Sequence, residues 1–272
     1  MNNMTSSPLL AIENISFAYD AKRVLSSISF SVNKGEYLSI IGPNGSGKTT
    51  LLQIMCGYFK PEIGGVYYLG RNVYTMNIRE RAKHFSAIYQ QHQVNRFPYT
   101  CIEMVIMGLH PHRARFEPLS DESLFQVEQV MHLTDTFCFA DKLITQISGG
   151  EMQRVMLARA IVQKPRILFL DEAMSGLDIC AKINMTKILK GLIEQQGITV
   201  VAINHDLNTA YRFSSRIVAL CRGKVAAIGA PEQVMTEKFF ADVFDVKAEI
   251  FKEKGFSFHD NIIKQERERG KR

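Results

Sequence analysis

An α/β fold is predicted for this 272-residue chain: a mostly parallel sheet with helices on its faces, joined to a small antiparallel β layer and interrupted by a helical lobe. Three observations predict it. Short apolar runs at 37–41, 167–170 and 198–203 alternate with segments of helical period, the pattern of parallel strands buried on both faces. Residues 9–32 alternate apolar and polar, the period-2 signature of half-buried antiparallel strands. From about residue 100 to 164 helical spacing dominates.

In chain order, Ile12–Tyr19 and Val24–Val32 read as two strands of the antiparallel layer, and Asn33-Lys-Gly35 turns the chain into the apolar strand Tyr37–Ile41. A helix covers 51–58 and stops near Gly57–Pro61, Gly64–Gly70 reads as a hairpin strand, and Phe85–Gln91 as a strand ending in two glutamines. Helical spacing then runs through Cys101–Leu109, Asp121–His132 and Glu151–Val162. Ile167–Leu170 is a buried-type strand, Ile179–Gln195 a helix and Ile198–Ile203 another buried-type strand. Residues from 231 onward read as helical and peripheral, with a loose basic end.

The motif with the most chemical content is Gly42-Pro43-Asn44-Gly45-Ser46-Gly47-Lys48-Thr49-Thr50, which lies between an apolar strand and a helix start. Its spacing fits G-x-x-x-x-G-K-[ST]. Glycines let several backbone N–H groups point inward at one anion, and the helix start adds its positive dipole end. Lys48 is then placed to neutralise β- and γ-phosphates, and Thr49 to offer its hydroxyl to Mg²⁺. A second motif, Ile167–Asp171-Glu172, ends an apolar strand in two carboxylates at the sheet edge where open α/β sheets bind ligands. Asp171 suits Mg²⁺, through a water, and Glu172 suits the water that attacks the γ-phosphorus. Ser148-Gly149-Gly150 opens an amphipathic helix and presents a further helix N-terminus; by itself it reads as an ordinary Ser cap.

Composition excludes several classes. An apolar content of 46% is ordinary globular material, no apolar stretch approaches the roughly 20 residues of a membrane span, and Met1–Pro8 has no apolar signal core. A cytoplasmic address is expected. Five scattered cysteines without a C-x-x-C pair read as reduced, mostly buried thiols. His110-Pro-His112 lacks nearby carboxylate or cysteine partners and is not read as a metal site. The net charge of +6 is modest, and no nucleic-acid partner is expected.

Taken together, these motifs resemble the ATP-binding cassette (ABC) family over about residues 9–250. Gly42–Thr50 resembles its Walker A, Ile147–Glu151 its signature sequence and Ile167–Glu172 its Walker B with the catalytic glutamate. Ser175–Asp178 is similar to the D-loop, His205 to the switch histidine, and Gln91, beside Gln90, to the Q-loop glutamine that reaches the metal. Tyr19 is placed like the aromatic residue that stacks on adenine. Departures are Ile147 for Leu, Glu151 for Gln, Gly176 for Ala and Asn204 for Ser or Thr. No phosphate contact is assigned to Glu151, because it brings negative charge.

The resemblance implies a P-loop NTPase core of RecA-like type, with the core and β layer at about 9–90 and 165–230, a helical lobe at about 92–164, and a basic tail at 251–272. It implies ATP and Mg²⁺ as cofactors and Lys48, Gln91, Glu172 and His205 as catalytic residues. Nucleotide contacts would come from Tyr19, Gly42 to Thr50, Ser148, Gly149, Gly150 and Asp178, and metal contacts from Thr49, Gln91 and Asp171. The implied partners are a second copy in a head-to-tail homodimer, two integral-membrane permease subunits docked near Gln91–Pro98 and Met104–Arg115, and indirectly a substrate-binding protein. The implied location is the cytoplasmic face of the cell membrane. Met107–His112, Asn204–Asn208, Gly229–Val234 and Phe240–Val246 further resemble cassettes of iron-siderophore, haem and cobalamin importers. Molybdate cargo, a soluble ABC ATPase acting on ribosomes or DNA, and a nucleotide-gated scaffold that binds ATP but barely hydrolyses it remain as alternatives.

Overall fold

The computed structural model describes residues 7–89, 98–114, 117–174, 176–251 and 255–259. Strands β1 (Leu10–Tyr19) and β2 (Lys22–Val32) pair antiparallel, and β1 also pairs with β4 (Ile63–Tyr68), which continues into the short β5 (Arg71–Asn72). The resulting sheet has order β2-β1-β4-β5, the antiparallel layer expected from the period-2 pattern. Between β2 and β4 the chain enters the second sheet through β3 (Tyr37–Ile41) and helix α1 (Lys48–Met55).

Past β5 come the single-turn helix α2 (Ile78–Ala82) and strand β6 (Phe85–Ile88). The lobe contains α3 (Cys101–Ile106), α4 (Asp121–Leu133) and α5 (Gly149–Val162). Each of these three starts on a hydroxyl cap, Thr100, Ser120 and Ser148, whose oxygen accepts a backbone N–H of the first turn. The chain then lays down β7 (Ile167–Asp171), α6 (Ile179–Gln196), β8 (Thr199–Ile203), α7 (Leu207–Phe213), β9 (Arg216–Cys221) and β10 (Lys224–Gly229). It finishes with α8 (Pro231–Val234), α9 (Glu237–Phe244), β11 (Lys247–Phe251) and β12 (Gly255–His259).

The six-stranded sheet has order β10-β9-β3-β8-β7-β6, parallel throughout except for the β9–β10 hairpin. Every residue of β3, β7 and β8 is buried, including the polar Ser39, Asp171 and Thr199, which is why these strands are near-continuous apolar runs in the sequence. One core cluster joins the antiparallel layer to α1, with Leu10, Ile12, Leu51, Leu52 and Phe169 essentially inaccessible. A second packs α5 and α6 on the other face through Leu157, Leu168 and Leu189, and a third is internal to the lobe around Val105, Val127, Met131 and Val155.

Several expectations are revised. The strand expected at 85–91 ends at Ile88, and Gln90 and Gln91 lie outside the described residues. The helix expected over 101–109 gives way after Ile106 to a 3-10 turn through His112, because Pro111 has no N–H to continue the α ladder. The helix expected from Glu151 starts at Gly149, two residues earlier, on the Ser148 cap. Residues 231–244 are helical as expected, but Phe240 is fully buried among Ile41, Ile217 and Ala219, so this region is core and not periphery. Beyond it β11 and β12 form a hairpin, Ala248 facing Phe258 and Ile250 facing Phe256, which crosses the expected tail boundary at 250/251. The five cysteines are free, but Cys138 and Cys180 are exposed, because they sit on an outward 3-10 turn and in the first turn of α6.

Candidate active site

At the carboxyl ends of β3, β7 and β8 the chain builds a cleft of about 590 Å³ lined by Tyr19, Lys22, Arg23, Asn44, Gly45, Gly47, Lys48, Thr49, Thr50, Glu172, His205 and Arg222. Its floor is the loop 42–47. Gly47, the N-cap of α1, has φ 97° and ψ 13°, a left-handed conformation suited to glycine, and no side chain caps the helix there. The N-terminal amides of α1 therefore face the cleft without a resident acceptor, and its first turn contains no acidic residue. Ser46 is buried, and its hydroxyl is among the buried polar atoms without a hydrogen-bond partner. Within the loop the Ser46 amide donates to the Pro43 carbonyl at 3.2 Å, while Asn44, Gly45 and Gly47 line the cleft.

Lys48 Nζ donates to the carbonyls of Gly42 (2.9 Å) and Pro43 (3.0 Å), which holds the ammonium over the loop. Burial pushes its pKa down, opposed by the negative charges of Glu172 and Asp171. Asp171, the last residue of β7, is buried, and desolvation raises its carboxyl above the usual range. Thr49 Oγ1 donates to Asp171 Oδ1 at 3.2 Å. One hydroxyl and one carboxylate thus converge beside the phosphate loop, an all-oxygen pair of the kind Mg²⁺ accepts together with phosphate oxygens. Among the described residues no cluster of three or more His, Cys, Asp or Glu side chains forms a protein-only metal cage.

Glu172 follows β7 directly and has φ 53°, a left-handed conformation rare for a residue with a β-carbon. This backbone turns its carboxylate from the end of the sheet toward the cleft, where Oε1 accepts a hydrogen bond from His205 Nε2. His205 stands two residues past the end of β8, and Asn204 before it is anchored to Ser39 in β3 by a 2.6 Å bond from Nδ2. The acid and the imidazole therefore come from two adjacent strands of one rigid sheet.

Tyr19 ends β1 at the cleft wall, its hydroxyl 3.4 Å from Thr50 Oγ1 and its ring edge-on to Phe17 and Phe59 at 4.9 and 5.6 Å. Ser148, Gly149, Gly150 and Asp178 do not line this cleft. Ser148 and Glu151 cap the start of α5 reciprocally: Ser148 N donates to Glu151 Oε2 at 2.7 Å, and Glu151 N donates to Ser148 Oγ at 3.3 Å. The acidic departure in the signature thus serves the helix end. Asp178 caps α6 by accepting from Ala181 N at 2.8 Å. Gln91 and Ser175 lie outside the described residues. His112 Nε2 is 2.8 Å from the Gln163 carbonyl, a structural contact. Lys22, Arg23 and Arg222, which belong to no sequence motif, bring three cationic side chains to the cleft.

A family model described as ABC transporter matches residues 25–175, more than half of the chain. The chain belongs to the ABC transporter family, as an ATP-binding cassette. The hemin import ATP-binding protein HmuV of Escherichia coli O157:H7 is 33% identical over 251 residues, 90% of this cassette and 95% of that protein. The petrobactin import ATP-binding protein FpuC of Bacillus anthracis is 30% identical over 259 residues, 94% of this cassette and 95% of its own length. The spermidine/putrescine import ATP-binding protein PotA of Spiroplasma citri is 34% identical over 230 residues, but the match spans only 63% of that protein. Among solved structures, the dimeric ATP-binding cassette MJ0796 bound to ADP and phosphate superposes with a TM-score of 0.73 at 28% identity, covering 82% of this chain and 98% of that one. A chain of an inward-facing transporter, provisionally assigned to the metal-chelate type, shares the fold at a TM-score of 0.79 and 24% identity, covering 93% and 98%. The cassette is thus an ABC-type ATPase with the expected α/β core, and no described helix is long and apolar enough to cross a membrane.

Proposed function

We propose that this cassette is the ATP-hydrolysing subunit of an importer that takes up a metal chelate, of the iron-siderophore, haem or cobalamin kind. The observation that carries the hydrolytic part is the juxtaposition of Glu172 and His205 in the same cleft as Lys48 and Thr49. Glu172 accepts the proton of the attacking water, and His205 holds the carboxylate in place and senses the γ-phosphate. Lys48 exchanges its loop carbonyls for β- and γ-phosphate oxygens. Thr49 and Asp171, with Gln91, would hold Mg²⁺, which spreads the charge of the triphosphate. Tyr19 stacks on adenine from the cleft wall.

Ser148, Gly149, Gly150 and Asp178 lie outside their own chain's cleft, so their nucleotide role requires a second copy arranged head to tail. The related cassette MJ0796, solved as a dimer bound to ADP and phosphate, supports an assembly of two copies. ATP then clamps two cassettes, and closing and reopening drive two integral-membrane permease subunits at the cytoplasmic face, fed by a substrate-binding protein. The cargo assignment draws on the hemin and petrobactin importer relatives, each matched over nearly its whole length, whereas the polyamine importer extends well beyond the match.

Two measurements test this reading. Glu172→Gln is expected to lower ATP turnover by about 10³-fold while ATP still binds; unchanged turnover removes Glu172 from the chemistry. In liposomes containing the cassette with its permease, haem or a ferric siderophore presented by the binding protein is expected to stimulate ATP hydrolysis. Stimulation by spermidine alone would replace the cargo assignment.

A further inference from the structure

The β9–β10 hairpin turns on two residues, Arg222 at φ 49° and Gly223 at φ 74°, with Cys221 and Lys224 paired across it. Two positive φ angles in a two-residue loop define a type I′ turn, whose first position favours Asn, Asp or Gly. An arginine there violates the turn's own chemistry. The turn is also held in one place. Gly223 N donates to the carbonyl of Ser46 at 3.2 Å, Ser26 N donates to the carbonyl of Gly223 at 2.9 Å, and a β-carbon at Gly223 would lie 2.2 Å from the Val24 carbonyl oxygen. The hairpin tip is therefore clamped between β2 and the phosphate loop itself, and Arg222 lines the same cleft as Lys48. Among the described residues Arg222 makes no ion pair, and the neighbouring cleft cations Lys22 and Arg23 share its sign.

We propose that Arg222 is a nucleotide-binding residue, a second cation that holds phosphate oxygens of ATP from the hairpin side of the cleft opposite Lys48. The tie from Gly223 to Ser46, a residue of the phosphate loop, points to the phosphates and not the base as its target. A locally unfavourable residue on a rigidly anchored turn is the pattern expected where function outweighs turn preference. The inference rests on the reading of this cleft as the ATP site.

The test uses Arg222→Asn, which suits the left-handed turn better than arginine, with Arg222→Gly as a second variant free of any left-handed penalty. ATP titrations by calorimetry on the full chain are expected to show Kd raised about tenfold in both, with a shallower salt dependence, while the unliganded melting temperature stays level or rises. Arg222→Lys, which keeps the charge, is expected to recover most of the affinity. If both variants bind ATP as the parent does while Lys48→Ala still weakens binding, the role of Arg222 is overturned alone. If Lys48→Ala also leaves ATP binding unchanged, the cleft is not the nucleotide site and both readings fall.

Discussion

Two helix N-termini in this cassette are built in opposite ways. Helix α1 begins at Gly47, left-handed and without a side-chain cap, whereas α5 begins at Ser148, extended at φ −68° and closed by a reciprocal Ser148–Glu151 box. The first leaves its amides for an outside anion, and the second satisfies part of its own from within. On the proposed reading, the uncapped start of α1 is the end that takes the phosphates. The start of α5 is closed by its own side chains, and on the proposed head-to-tail arrangement the amides at Gly149 and Gly150 would meet the nucleotide of a second copy. Affinity for nucleotide in a single copy should reside at α1, and α5 should matter only once two copies meet.

The sharpest way to break this contrast is at Lys48. Lys48→Ala removes the cation at the open end and is expected to cost about 3 kcal/mol of ATP binding, roughly a hundredfold in Kd, read by calorimetry. Next comes Gly47→Ala, which places a β-carbon 2.7 Å from Leu25 Cδ2 at φ +97°. It is expected to destabilise the unliganded protein by about 1–3 kcal/mol in denaturant melts, and to weaken ATP binding as well. A smaller effect is expected at the closed end: Ser148→Ala removes the cap and should cost about 1 kcal/mol of stability. Its ATP affinity at concentrations where the chain is a single copy should match the parent, and a drop there would mean that Ser148 contributes within its own chain.

The smallest effect concerns pH. The Glu151 carboxylate is held below the usual range by the hydrogen bonds from the Ser148 backbone and side chain. Its contribution is complete above the unfolded pKa near 4.5 and disappears as pH falls through the lower folded value. Glu151→Gln keeps a capping side chain without the titration, so the acid limb of its stability curve should be flatter than the parent's. Identical acid limbs would show that the box contributes nothing through charge.

Much of this contrast is legible in the amino acids, because the strongest signals are periodic or covalently local. The run Tyr37–Ile41 before Gly42–Thr49 specifies a strand, a loop and a helix within thirteen residues, and the structure places each there. Asp171 and Glu172 are equally visible at a strand end, but the left-handed turn at Glu172 that separates their directions is not, since no residue preference announces it. The capping box at Ser148 was open to the ordinary-cap reading and takes that form within one chain. Arg222 escaped because a charged residue in a hairpin turn looks like solvated surface; only the clamp on Gly223 brings it to the cleft. The hairpin at 247–259 is not legible in the sequence, because its five-residue strands are too short for alternation to stand out after a helix.

That trailing hairpin has a consequence for anyone who shortens the polypeptide. Strand β11 packs beside α9, and β12 beside α7, the helix that opens two residues after His205. Trimming the gene at codon 246 would strip the support from α7 and loosen the histidine's footing, so an apparently expendable appendage would show its loss as slowed hydrolysis at a site some forty positions upstream of the cut.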